Sequence, residues 1–221
     1  MSKAIAIISG GLDSVTLAYL LKSQGHELTL LSFDYGQRHK KELDYAKLCA
    51  DDLGAKHSII DLSSITHLLS GSSLTDDIPV PEGHYAAASM ASTVVPNRNA
   101  IMLSIAWAAA VSSWAEIVAT GVHAGDHFVY PDCRQEFIDA FDVMGKLATD
   151  GYAASGLHLY APFVNISKAE IIRIGASLFV PYYNTWSCYK GSAAHCGRCG
   201  TCVERKEAFQ LAGVTDPTIY E

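Results

Sequence analysis

Long hydrophobic runs are missing from this 221-residue chain: no apolar stretch reaches the roughly 18 residues that a membrane-crossing helix needs. Met1-Ser2-Lys3 leads straight into an apolar strand pattern without the profile of a secretory leader, so the expectation is a soluble, cytoplasmic protein. An excess of positive charge is also missing. Lysine and arginine number 16 against 23 aspartates and glutamates, which gives a net charge of −7 and a pI near 5.7. Such a chain has no general field for nucleic acid, and no direct nucleic-acid binding is expected; any RNA-related role would run through a small metabolite. Hydrophobic residues make up 49% and charged ones 18%, enough to build a sizeable core in one domain with at most a small appendage. Repeats and low-complexity tracts are absent too. Of the six cysteines only Cys49 and Cys133 stand apart. The other four crowd between positions 188 and 202, which in an intracellular chain argues for metal rather than disulfides.

The stretch that organises what is present is Ser9-Gly10-Gly11-Leu12-Asp13-Ser14, between the apolar run Ala4 to Ile8 and the longer run from Val15 and Thr16 to Leu21. A short apolar run, a glycine turn and a long apolar segment read as strand, loop and helix N-terminus. Paired glycines let backbone N–H groups approach a ligand closely, and the helix dipole behind them favours an anion such as phosphate. Ser9 and Ser14 add hydroxyls, and Asp13 offers a carboxylate that could cap the helix or position Mg²⁺. The lysine that ends an ordinary phosphate loop is missing. A loop without it suits holding a departing pyrophosphate better than polarising a transferred γ-phosphate. The hexapeptide resembles the PP-loop of the ATP pyrophosphatases, with Ile8, Leu12, Val15 and Thr16 flanking the nucleotide-binding residues. The competing reading is a plain glycine turn.

Strand and helix patterns alternate onward. Strands are predicted at Glu27 to Phe33, Lys56 to Asp61, Glu116 to Gly121 and Leu157 to Ala161. Helices are predicted at His39 to Leu53, Arg98 to Ala115, Arg134 to Leu147, Ser167 to Leu178 and about Cys202 to Leu211, with Ser167 and Glu170 spaced as a capping box. Alternation of this kind implies βαβ units, a parallel doubly wound sheet, and ligands beyond the carboxyl ends of the strands. From Thr66 to Pro96 the pattern dissolves, as expected of a lid near the nucleotide site or of a disordered excursion.

Cys188, Cys196, Cys199 and Cys202 follow a C-x7-C-x2-C-x2-C spacing. Four thiolates complete a tetrahedral set for Zn²⁺ with no open position, hence a structural site; an Fe–S cluster takes the same ligands. His195 is read as an exposed neighbour. Asp34-Tyr35-Gly36-Gln37-Arg38-His39 with Glu42 lies beyond the second strand at the ligand-binding edge. Arg98 could clamp phosphate through its fork, and Lys168 at a helix start is a second candidate; the alternative for both is an exposed cation. Cys133, within Tyr130-Pro131-Asp132-Cys133-Arg134, is read as packed and inert.

Taken together, the loop at 9–14, Tyr35 to His39 with Glu42, Pro96-Asn97-Arg98-Asn99, Tyr130 to Arg134, Ser167-Lys168 and Trp186-Ser187-Cys188-Tyr189 with the later cysteines resemble the 7-cyano-7-deazaguanine synthases over nearly the full length. Segment 66–93 carries no matching motif. The resemblance implies an adenine nucleotide α-hydrolase-like core at 1–185 with a small zinc-binding tail at 186–221 packed on it. It implies conversion of 7-carboxy-7-deazaguanine, ammonia and ATP, with Mg²⁺, into 7-cyano-7-deazaguanine through acyl-adenylate and amide intermediates, by a homodimer. Under it Asp13, Arg98 and Lys168 are the catalytic candidates, Ile8 to Thr16 bind the nucleotide, and the four cysteines hold one structural Zn²⁺. Rival readings are a related ligase joining an adenylated deazapurine to another amine, a tRNA-modifying PP-loop sulfur transferase, and a zinc-binding adaptor.

Overall fold

The computed structural model describes residues 2–38, 40–190 and 193–221. Five strands, β1 (Lys3–Ile7), β2 (Glu27–Asp34), β3 (Lys56–Asp61), β4 (Ile117–Ala119) and β5 (His158–Tyr160), form one sheet in the order β3-β2-β1-β4-β5. Every pairing is parallel, with Ala4 opposite both Leu28 and Ile117. Parallel strands require crossovers, and six helices supply them or close the chain: α1 (Leu12–Ser23), α2 (Lys41–Leu53), α3 (Arg98–Ser113), α4 (Gln135–Ala148), α5 (Lys168–Ser177) and α6 (Gly200–Ala212).

The side-chain alternation of the central strands divides the core in two. Ala4, Ala6, Leu28, Leu30 and Ala119 pack under α1, α2, α5 and α6. Ile5, Leu31, Phe33 and Val118 face the opposite way, under α3 and α4. The sheet is thus doubly wound, and its direction of growth reverses between β1 and β4. The carboxyl ends of those two strands part there and open a crevice. No helix of the described residues is long and apolar enough to cross a membrane.

Two boundaries near the crevice differ from the sequence expectation. Helix α2 begins at Lys41; His39, where the predicted helix began, lies outside the described residues. The preceding chain turns tightly at Gly36 (φ 82°), where any Cβ would stand 2.6 Å from the Thr66 side chain. Strand β4 is three residues long, because only Ile117 to Ala119 find partners on both sides.

The segment from 66 to 96 is ordered rather than an excursion. It holds 3-10 turns at Ser63–Leu68 and Ala88–Thr93, buries Leu69, Leu74 and Met90, and bonds Ser73 N–H to Ser92 O at 2.7 Å. Its far end docks on the cysteine tail: Glu82 pairs with Cys199 in an isolated bridge and binds Lys190 and, at 3.0 Å, Arg198. The tail packs against the sheet core in turn, through Ala208 and Phe209 of α6.

Candidate active site

The glycine loop occupies the crevice between β1 and β4. Gly10 adopts φ 82°, and a Cβ on it would lie 2.2 Å from Glu42 O and 2.7 Å from Ala46 N, so no other residue fits against α2. Ser9 and Ser14 lock the turn: Ser14 Oγ donates to Gly11 O at 3.1 Å and accepts from Ser9 N–H at 3.2 Å. No side chain caps the start of α1, so its first N–H groups remain for an anion. Across the crevice Gly121 lies against the Asp13 backbone, 3.3 Å from where its own Cβ would be. Of the flanking residues, Ile8 and Leu12 line the cleft while Val15 and Thr16 are buried behind it, Thr16 bonding Leu12 O and the Tyr182 hydroxyl.

Asp13 points into a cluster of charges. Its Oδ2 lies 3.4 Å from Lys168 Nζ and 3.8 Å from His123 Nε2, and its Oδ1 is buried without a hydrogen bond. Lys168 opens α5 behind a full capping box, with Ser167 N–H donating to Glu170 Oε2 at 2.8 Å. Its ammonium also binds Glu204, which α6 brings in from the tail. Burial works against the charge on Lys168, but Asp13 and Glu204 outweigh it and hold the ammonium above the usual lysine range.

His123 is buried and its Nδ1 accepts from Gly125 N–H at 3.1 Å, so Nε2 carries the proton. That N–H faces Asp126 at 3.5 Å and Glu204 at 3.9 Å besides Asp13. Three carboxylates, an ammonium and an imidazole therefore converge beside the glycine turn.

The other half of the cleft, about 260 Å³ in all, is aromatic and includes Phe33, Tyr35, Tyr130 and Tyr189. Arg98 lies over the Tyr35 ring at 5.8 Å and donates to its hydroxyl at 3.4 Å. Of the predicted cluster after β2, Tyr35, Gln37 and Glu42 line the cleft. Gln37 is committed to its own loop, through Tyr35 N–H and Phe33 O. Arg38 turns away to Ile78 O and Asp77. Cys133 is buried beside Asn99, and burial pushes its thiol far above the usual range, which fits an inert side chain.

In the tail, the Sγ atoms of Cys188, Cys196, Cys199 and Cys202 all lie within 4.8 Å of one another, and all four residues are buried. Backbone N–H groups of Lys190 and Cys196 point at Cys188 Sγ, each at 3.4 Å. Four such sulfurs cannot all ionise together without a cation between them, so the donor set fits a metal ion. His195 is not the exposed neighbour expected from its position. It is buried against Trp186 at 4.2 Å, and its Nε2 accepts from Ser187 N–H at 3.1 Å. The tail also touches the loop directly, since Trp186 N–H donates to Gly10 O at 2.9 Å.

Sequence reasoning missed three members of the cluster, Asp126 among them, three residues beyond His123 on the same turn. His123 had a signal, lying just past β4 at the ligand-bearing edge. Glu204 had none, because only the tertiary docking of α6 brings it to Lys168.

A model of the family described as queuosine biosynthesis protein QueC matches residues 3–213. The chain belongs to the QueC family. It is 61% identical to 7-cyano-7-deazaguanine synthase of Sinorhizobium fredii, over 99% of this chain and 92% of that protein. The enzyme of the same name from Brucella anthropi is 62% identical, over 99% and 94%. More distant in sequence but alike in fold are two solved structures. The U34-tRNA thiolase NcsA from Methanococcus maripaludis, with its [4Fe-4S] cluster, superposes with a TM-score of 0.53 at 15% identity, over 95% of this chain and 65% of that one. NMN synthetase from Francisella tularensis gives 0.51 at 16%, over 97% and 78%. These two likenesses are of the fold alone.

Proposed function

We propose that this chain is an ATP-dependent carbon–nitrogen ligase that converts 7-carboxy-7-deazaguanine and ammonia into 7-cyano-7-deazaguanine. The observation that carries the reading is a lysine-free glycine loop facing the Asp13, Lys168, Glu204 and His123 cluster, in a chain 61% identical to a synthase of that name.

A carboxylate resists attack by ammonia, because resonance and a poor leaving group both oppose it. Attack of a carboxylate oxygen on the α-phosphorus of ATP releases pyrophosphate and leaves an acyl adenylate. Ser9, Gly10, Gly11, Asp13 and Ser14, with the first turn of α1, hold that pyrophosphate. Lys168 and Arg98 neutralise the charge that develops on the phosphates, and fixed charges of this kind are the chief means by which such a site lowers its barrier. Ammonia then attacks the acyl carbon and expels AMP, and the carboxylates around His123 accept the protons it must lose. The amide oxygen takes a second adenylyl group, and loss of AMP and a proton leaves the nitrile. Each turnover therefore consumes two ATP and yields two AMP and two pyrophosphates, with no covalent enzyme intermediate.

Mg²⁺ accompanying ATP would be held by Asp13, whose buried Oδ1 lacks a partner, and would neutralise phosphate charge. The metal of the tail is read as one structural Zn²⁺. Four sulfurs within 4.8 Å suit a single ion, whereas a [4Fe–4S] cube would hold its thiolates further apart. Residues 1–185 form the ATP-binding core and 186–221 the metal tail under this reading. A second copy of the chain would cover the apolar stripe Val143, Met144 and Leu147 on α4, giving a homodimer. Six cysteines, none in a disulfide, agree with the cytoplasm.

Purified protein given 7-carboxy-7-deazaguanine, ammonium and ATP should yield the nitrile by mass spectrometry. Recovery of the acid unchanged, with ATP intact, would overturn the assignment.

A further inference from the structure

The aromatic half of the cleft holds one carboxylate that the proposed adenylation does not use. Glu42 stands on the first turn of α2, next to the turn that packs on Gly10, and lines the cleft. Lys168 pairs with both Asp13 and Glu204, but no described residue donates a hydrogen bond to the Glu42 carboxylate. Tyr35, Tyr189 and Arg98 line the same cleft, and the Arg98 charge acts on the Glu42 carboxyl. A carboxylate that makes no hydrogen bond among aromatic walls, with the Arg98 cation in the lining, fits a flat ring whose edge offers N–H groups.

We infer that Glu42 is the specificity residue for the base, its two oxygens accepting from the adjacent ring N–H and 2-amino group of a guanine-type edge while the tyrosines flank the ring. This rests on the function proposed above and names how that site reads its substrate. Chemistry favours the guanine-type ring over the adenine of ATP. A 2-amino-pyrimidinone edge presents two neighbouring donors, one for each carboxylate oxygen. Adenine presents a donor beside an acceptor, which would set a ring lone pair against the second oxygen. The C7 substituent lies at the far side of the bicycle from that edge, so a ring anchored on Glu42 can turn its carboxyl group out of the aromatic pocket. Burial pushes the Glu42 carboxyl up to about 7. Two donors from a bound base would favour its ionised form again.

The test is calorimetric binding and steady-state turnover of 7-carboxy-7-deazaguanine and its analogue lacking the 2-amino group, with the wild-type chain and Glu42→Gln. Wild type should prefer the natural base by about 10²-fold or more, because the analogue leaves a buried acceptor unpaired. Glu42→Gln should weaken the natural base by a similar factor, narrow the preference to within about tenfold, and leave the KM for ATP within about threefold. Equal binding of the two bases by wild type overturns the inference without reliance on any variant. A rise in the KM for ATP with the base preference intact would also overturn it, in favour of an adenine contact. Selective binding of the natural base without nitrile formation would sink the proposed reaction and leave the assignment of Glu42 standing. Turnover without selectivity would do the reverse.

Discussion

Asp13 sits uneasily in the fold, as the chemical role proposed for it would require. One carboxylate oxygen faces Lys168 and His123, while the other is buried without a partner, an arrangement that costs on the order of 1–3 kcal/mol. Removing the side chain relieves that cost and also frees Lys168 from one of its two anions. Asp13→Ala should therefore shift the melting temperature by only a few degrees, yet lower kcat by about 10²-fold or more. Calorimetry and steady-state kinetics on the same preparation check both halves. Glu42 gives a second prediction, in pH. Its carboxyl is pushed from 4.5 up to about 7, so the folded state disfavours the ionised form. The neutral group is tolerated at low pH, and the penalty grows as pH rises from 4.5 and is complete above about 7. Without ligand, Glu42→Gln should gain about 1–3 kcal/mol in denaturant titrations at pH 8 and almost nothing at pH 4.5. An equal gain at both would contradict a carboxyl desolvated by the cleft around it.

Helix α6 joins three jobs within four residues. Cys202 belongs to the sulfur cluster, Glu204 binds Lys168, and Arg205 is fully buried. The Arg205 guanidinium donates to Thr185 Oγ1 at 2.8 Å, Tyr182 O at 3.0 Å and Ser187 Oγ at 3.2 Å. Those bonds fix the strand of chain whose Trp186 N–H holds Gly10. Loss of the metal should therefore reach the nucleotide site through two routes. Cys199→Ser is expected to lower bound metal and melting temperature together and to raise the KM for ATP, as read by elemental analysis, calorimetry and kinetics. A metal-free variant of unchanged stability that lost all turnover would point to a metal at work in the chemistry instead. Arg205→Ala strips a buried cation from Asp216 and the carbonyl of Tyr182, and should destabilise the fold by about 3–5 kcal/mol in chemical denaturation.

The alternation of apolar runs along the whole chain was enough to read a doubly wound sheet, because β1 and β2 alternate sides and their helices carry apolar faces. The start of α5 was legible in Ser167 and Glu170, whose mutual bonds are local. The glycine loop and the cysteine spacing were legible for the same reason. What escaped depends on distant partners. Glu204 and His123 become site residues only when α6 and the turn after β4 meet over Asp13. The segment from 66 to 96 has no periodicity of its own and is ordered by Glu82 against Lys190 and Arg198. His195 looked like a polar bystander but is held inside by Ser187 and Trp186.

For the molecule as a whole, the lysine-free loop should direct ATP toward transfer of its adenylyl group. The most direct measurement follows oxygen. If 7-carboxy-7-deazaguanine carries ¹⁸O in both carboxyl positions, the first label should leave with AMP when ammonia displaces the acyl adenylate, and the second when the nitrile forms. Mass spectrometry should find two AMP per nitrile, each with one ¹⁸O, alongside unlabelled pyrophosphate. Label in inorganic phosphate with ADP as the nucleotide product, or label released to water with AMP unlabelled, would contradict the account.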